Sequence, residues 1–326
     1  MTTTRRSLLR ATAGLAMAAP AIGRAQGTWP AKSITIVVNF PAGGLTDGIA
    51  RAFAQSVTQS TGQQVIIDNK PGASGNIGAA LVARAQPDGY TFLHSVSSTL
   101  IQNRVMFKTM GFDPDKDLTI VAAISSGVLP VVVYKSVPAS NLKEFIEYAR
   151  TNRVNFGSWA LGSSAHIFAQ ALNEKYGLKI EVVTYKGEAP MWQDMGSGSL
   201  QAAMGSPQAM NALLLKGEVK PIVAPSRVRL GKLPELTTSV EQGFTEDVFT
   251  VRGWLALAAP AATPKEIVRR MSDLWVAAAD SAPGARMMES FGLTEKPMPH
   301  EEAMKDYEVL KATLIPRIVA LGIVPE

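Results

Sequence analysis

The 326-residue chain reads as an α/β protein built in two lobes. Three observations predict this. Short apolar runs alternate with stretches whose apolar residues recur at helical spacing, the pattern of strands leading into helices. The runs end in turns rich in Gly, Ser or Asn. The length is enough for two separate cores, and the pattern changes near residues 120–134, where two apolar runs lie side by side.

Ile34-Thr35-Ile36-Val37-Val38 is the first expected strand, followed by a Gly-rich turn and a helix with Ile49, Phe53 and Val57 on one face. Val65-Ile66-Ile67 begins a second unit, with a turn over Pro71 to Gly78 and a helix from Ala79 to Arg84. Asp88-Gly89 then turns into a strand at Tyr90-Thr91-Phe92-Leu93. Ser125-Ser126-Gly127 separates the two adjacent apolar runs and marks the crossing into the second lobe. There, Val154-Asn155-Phe156 leads through a turn over Gly157 to Ser164 into a helix faced by Ile167, Ala171 and Leu172. Ile180 to Val183 leads through Tyr185-Lys186-Gly187 into a short helix near Pro190. Trp254 to Leu257 is a late strand, Pro264 suits a helix start, and the mostly helical remainder is expected to return to the first lobe. The expected division is therefore residues 26–126 with 251–326 in the first lobe and 127–250 in the second.

The first 25 residues stand apart. Arg5, Arg6 and Arg10 precede an uncharged, Ala-rich run from Ala11 to Ile22 that ends at Gly23-Arg24-Ala25. This predicts a cleavable signal peptide, and Arg5-Arg6 within Thr4 to Leu9 points to the twin-arginine route. The apolar run is shorter than the roughly 20 residues that a membrane span needs. The expected location is the periplasm. The leader carries four arginines, so the mature chain has 28 basic against 27 acidic residues, and its charge gives no reason to expect nucleic acid as a partner. The absence of Cys excludes disulfides, thiol catalysis and zinc–thiolate sites.

Three turns share one device, a strand that ends in a Gly/Ser-rich loop before a helix begins: residues 40–47, 69–78 and 157–166. Free N–H groups and the helix dipole at such a start can hold an anion without a cation. Thr46 or Asp47 could simply be an ordinary helix cap. Lys70 is the one cation among the three loops. No nucleophile elbow, phosphate loop or dinucleotide fingerprint is present, and His94, His166 and His300 have no metal-ligand partner at short spacing. No catalytic residue, metal or cofactor is expected. Trp254 and Trp275 read as core residues.

These residues resemble the periplasmic receptors of tripartite tricarboxylate transporters, the Bug family. The resemblance rests on Trp29-Pro30, Gly43-Gly44-x-Thr46-Asp47, Asn69 through Gly78, Pro87-Asp88-Gly89-Tyr90, Phe112-Asp113-Pro114-x-Lys116-Asp117, Gly162-Ser163-Ser164-x-His166, Tyr185-Lys186-Gly187, Leu233-Pro234 and Glu241-x-Gly243. It spans nearly the whole mature chain. It implies a two-lobed, type II periplasmic-binding-protein (Venus-flytrap) fold, α/β with a mixed sheet in each lobe, holding a small di-, tri- or aromatic carboxylate in the cleft. It further implies a monomer that delivers its ligand to membrane transporter subunits. Carried onto this sequence, the first-lobe grip falls to Gly44, Thr46, Asp47 and Asn76 with Ser97, alongside Phe40, Gly43 and Gly75 of the same loops. The second lobe offers Ser158, Gly162, Ser163, Ser164 and Tyr185, with Trp159, His166 and Gly205. Departures are Leu45 in place of Pro or a small residue, the bulky Trp159, and no acidic residue around 198–206. The last argues against an amino-acid ligand; Trp159 either favours a flat or aromatic acid or packs outward. Two rivals are a sensory binding protein signalling to a membrane kinase, and an α/β hydrolytic enzyme using Ser163 or Asp47.

Overall fold

A computed structural model describes residues 29–250 and 253–325. The expected signal peptide, residues 1–25, and the expected start of the return at residue 251 lie outside the described residues.

The first sheet begins with β1 (Ile34–Val38), which leads into helix α1 (Leu45–Thr61), and continues through β2 (Val65–Asn69), α2 (Asn76–Ala83) and β3 (Thr91–Val96). Short helices α3 (Asn103–Met106) and α4 (Pro114–Asp117) precede β4 (Leu118–Ser125). The chain then forms a second sheet from β5 (Val131–Tyr134), β6 (Asn155–Ser158), β7 (Glu181–Thr184), β8 (Ala202–Met204) and β9 (Val219–Val223). Between these strands run α5 (Leu142–Thr151), α6 (Ser164–Tyr176), α7 (Glu188–Ser197) and α8 (Pro207–Leu215). The chain re-enters the first sheet with β10 (Trp254–Pro260) and ends with α9 (Lys265–Ala278), α10 (Ala282–Phe291), β11 (Met298–Pro299) and α11 (His300–Ala320).

Both sheets are mixed. The order in the first is β11-β4-β10-β3-β1-β2, with β1 parallel to β2 and β3 and with β10 antiparallel to β3 and β4. In the second it is β7-β6-β8-β5-β9, with β6 parallel to β7 and β8. Alternate residues of each strand feed cores on opposite faces, as the period of two requires. Ile34 and Ile36 join α1, α9 and α10 through Phe53, Trp275 and Phe291, whereas Val37 joins α2 and α11 through Val82 and Leu314. In the second sheet Val131 and Val133 face α5 and α6, and Val132 faces α7 and α8.

Helix α2 starts at Asn76, three residues earlier than the sequence suggested. Gly75, at φ 91°, reverses the chain, and Gly78 lies inside the helix rather than in the turn. A Cβ on Gly78 would fall 2.8 Å from the side chain of Asn39 and 2.8 Å from the Lys70 carbonyl, so this glycine serves close packing of helix on strand. The helix near Pro190 proves to be α7, beginning at Glu188. Parallel strands that end at the cleft put their following helix starts there too, which positions the site.

Candidate functional site

A cavity lies between the lobes. From the first lobe it is lined by Phe40, Pro41, Gly44, Leu45, Thr46, Val96, Ser97, Ser98, Gln102, Gly253 and Trp254; Ser126 and Leu129 line it at the crossing. The second lobe adds Trp159, Ser164, Gly187, Glu188 and Ala189. The lobes touch around it. The Leu161 N–H donates to Ser74 Oγ at 3.1 Å, and Gly162 and Gly187 lie so close to Met106 and Pro41 that a Cβ on either would come within 2.8 Å. This is a closed arrangement.

Two helices point bare starts at this cavity. Helix α1 has Gly44 as its N-cap, with extended backbone (φ −89°, ψ 179°) and no side-chain cap. A Cβ on Gly44 would meet nothing within 4 Å. Helix α7 has Gly187 as its N-cap and likewise no side-chain cap. The first-turn N–H groups of a helix have no partner within the helix, so each start offers donors and the positive end of a dipole. By contrast, α6 is capped by Ser163, whose side chain accepts from the His166 N–H. The facing pair is thus α1 and α7, while the expected third loop reaches the cavity through Trp159 and Ser164.

Asp47 does not turn its charge toward the cavity. Its carboxylate accepts from the Gly43 N–H, Arg51 Nε and Asn69 Nδ2, each at 3.0 Å. Burial raises its pKa, but Arg51, the Gly43 N–H and Asn69 outweigh this and hold the carboxyl below its usual value. Asp47 therefore fixes the loop that presents Gly44. His94, buried beneath it, makes a 3.0 Å hydrogen bond through Nδ1 to the Thr46 carbonyl, and burial lowers its pKa to about 4. Lys70 pairs with Asp68 at 3.1 Å. Among the described residues lining the cavity none is Lys, Arg or His. Buried polar atoms wait at its wall: Ser98 Oγ, Gln102 Oε1 and Trp254 Nε1 have no hydrogen-bond partner among the described residues.

Of the candidates from sequence, Phe40, Gly44, Thr46, Ser97, Trp159 and Ser164 line the cavity. The others lie behind or beside it. Gly43 turns the chain at φ 93°. Gly75 backs onto Asn39, which donates to its carbonyl at 3.1 Å, and Asn76 accepts from Asn103 at 2.7 Å. Ser158 and Ser163 bond each other at 2.8 Å, both fully buried. His166 Nδ1 accepts from the Gly162 N–H at 3.1 Å, and burial lowers its pKa to about 4, leaving a neutral ring. Tyr185 donates to Asp194 at 2.7 Å. Trp254, read as core, is buried and also lines the cavity.

The sequence argument about a missing second-lobe acid requires correction. Glu188, absent from the candidates, stands at the cavity wall, 9% exposed. Its Oε1 accepts from the Ser206 N–H at 2.9 Å and its Oε2 from the Ser206 hydroxyl. Burial raises its pKa despite these bonds. The acid comes from the start of α7 rather than from residues 198–206, yet arrives beside Ser206. Gly205 makes room first for Trp192 and then for Glu188, because a Cβ there would lie 2.7 Å from Trp192 Cζ2 and 3.2 Å from Glu188 Oε1.

A family model described as "Tripartite tricarboxylate transporter family receptor" matches residues 49–308. A UPF0065 protein of Bordetella pertussis is 32% identical over 267 residues, 81% of this chain and 82% of that protein. Among solved structures, R. palustris Rpa4515 with adipate is similar at a TM-score of 0.86 and 32% identity, covering 91% of this chain and 100% of that one. The periplasmic binding protein BugD is similar at a TM-score of 0.83 and 25% identity, again covering 91% and 100%.

Proposed function

Because the chain belongs to the tripartite tricarboxylate transporter receptor family, we propose that it captures a small organic carboxylate in the periplasm, between its two lobes, for a membrane transporter of that type. The observation that carries this reading is the uncapped start of α1 in a closed cavity whose described lining holds no cation. A carboxylate there takes charge-assisted hydrogen bonds from backbone N–H groups, each contributing roughly 1.5–3 kcal/mol. Similarity to a protein solved with adipate supports an acid as ligand. Gly44, Thr46 and Ser97 hold the carboxylate, Phe40 and Trp159 pack on the carbon skeleton, and Ser164 closes from the second lobe.

Ligand shifts a population from open to closed, since only the closed form supplies both walls at once. Transporter subunits then read the closed form. The protein works as a monomer and acts by binding rather than catalysis; a neutral His166 bonded to the Gly162 N–H, with Ser163 committed to Ser158, supports that. Residues 1–25 direct export, by the twin-arginine route.

Isothermal titration and small-angle scattering with di-, tri- and aromatic carboxylates and with amino acids test the proposal. Micromolar or tighter binding with compaction is the expected result. No heat and no compaction across the panel would refute it.

A further inference from the structure

We infer that Glu188 selects the far end of the ligand, admitting an acid that carries an ammonium group toward the second lobe and rejecting one that carries a second carboxylate there. The inference deepens the receptor reading and rests on it.

The two helix starts that meet at the cavity are not alike. At α1 the nearby acid, Asp47, is turned aside and tied by Arg51, Asn69 and the Gly43 N–H, so the amides face the cavity without a competing charge. At α7 the first residue is itself an acid that lines the cavity, and its charge offsets the dipole of the helix behind it. One end of the site is built for an anion and the other against one.

A purely structural role leaves Glu188 poorly explained. Its bonds to Ser206 tie α7 to the segment after β8, but a neutral Gln could keep both contacts, its Oε1 accepting from the Ser206 N–H and its Nε2 donating to the Ser206 hydroxyl. A buried carboxylate normally has a cationic partner, because an unpaired charge away from water is costly. Among the described residues Glu188 has no ion pair, and no cation lines the cavity. Burial pushes its pKa up, as expected of a carboxylate that lacks its counter-ion. A carboxylate offers about four lone-pair sites, of which Ser206 takes two and the Trp192 indole N–H approaches a third. The remainder suit the hydrogens of an ammonium group, whereas a ligand carboxylate would meet like charge in a water-poor site.

The test compares acids matched in length: β-alanine with succinate, 4-aminobutyrate with glutarate, 5-aminopentanoate with adipate, and α-amino acids alongside. Isothermal titration of the intact protein is expected to show an amino acid binding at least tenfold tighter than its matched diacid. Glu188→Gln is expected to weaken that amino acid roughly 30-fold or more and to narrow or invert the preference, with its melting temperature not lowered. The wild-type order alone decides the matter if the variant fails to fold. Preference for the diacid in every pair, or a ratio of amino-acid to diacid affinity that Glu188→Gln leaves unchanged, overturns the role of Glu188 and leaves the receptor reading standing. No binding of any acid overturns both.

Discussion

Gly44→Asp separates stability from binding. Gly44 is the N-cap of α1, already extended at φ −89° and ψ 179°, so any residue fits its backbone, and a Cβ there meets nothing within 4 Å. Aspartate is among the best N-caps and places its charge against the positive end of the dipole. Replacing glycine also lowers the entropy of the unfolded chain. Together these effects are worth about 1 kcal/mol in favour of the folded state, or roughly 1–3 °C in a protein of this size. The same carboxylate would occupy the N–H groups assigned to the ligand and oppose its charge. Loss of two charge-assisted bonds is worth about 3–6 kcal/mol, so affinity should fall roughly 100-fold to 10,000-fold. Differential scanning calorimetry without ligand and titration with ligand give the two numbers. A variant that melts higher and no longer binds is the expected outcome. A variant that still binds as tightly as the wild type would show that the α1 start does not hold the ligand.

Other expectations follow from the same geometry. Ser163→Ala removes the cap of α6 and its bond to Ser158, and should cost about 1 kcal/mol in urea unfolding while changing ligand affinity less than about threefold, since Ser163 is shut away from the cavity. Trp159→Ala empties part of the cavity wall and should weaken binding about tenfold by titration, with little change in melting, because Trp159 is only partly buried against the core. His94 has a folded pKa of about 4 against an ordinary 6.5, so the stability tied to its neutral form is fully present above pH 6.5 and is lost as pH falls through about 4. The unfolded state binds the extra proton in that window, and up to about 3 kcal/mol should disappear between pH 6.5 and 4. Urea midpoints measured across this range should fall, with a flatter profile in His94→Gln.

The strands and the two-sheet plan were legible because apolar runs such as Ile34–Val38, bounded by glycine turns, leave little choice of structure. The loop that opens α1 was legible for the same reason: Gly43-Gly44 follows a buried strand and begins a helix. The rest was obscured by the many uses of glycine and serine. Gly75 and Gly78 look like anion-loop glycines in sequence, yet both serve close packing against Asn39. Ser163 sits in a loop of the same composition and spends its hydroxyl on capping. The α7 start offered one glycine only and so was passed over, although Gly187 followed by Pro190 in the first turn is itself a helix-start signal. Glu188 was missed because proximity to Ser206, 18 residues away, is a product of sheet order.

A crystal structure of the protein with a bound acid addresses the anion grip most directly. The ligand carboxylate is expected within about 2.7–3.2 Å of backbone nitrogens in the first turn of α1, with no lysine or arginine in contact. A carboxylate found instead on a basic side chain, with the Gly44 turn left to solvent, would contradict the account.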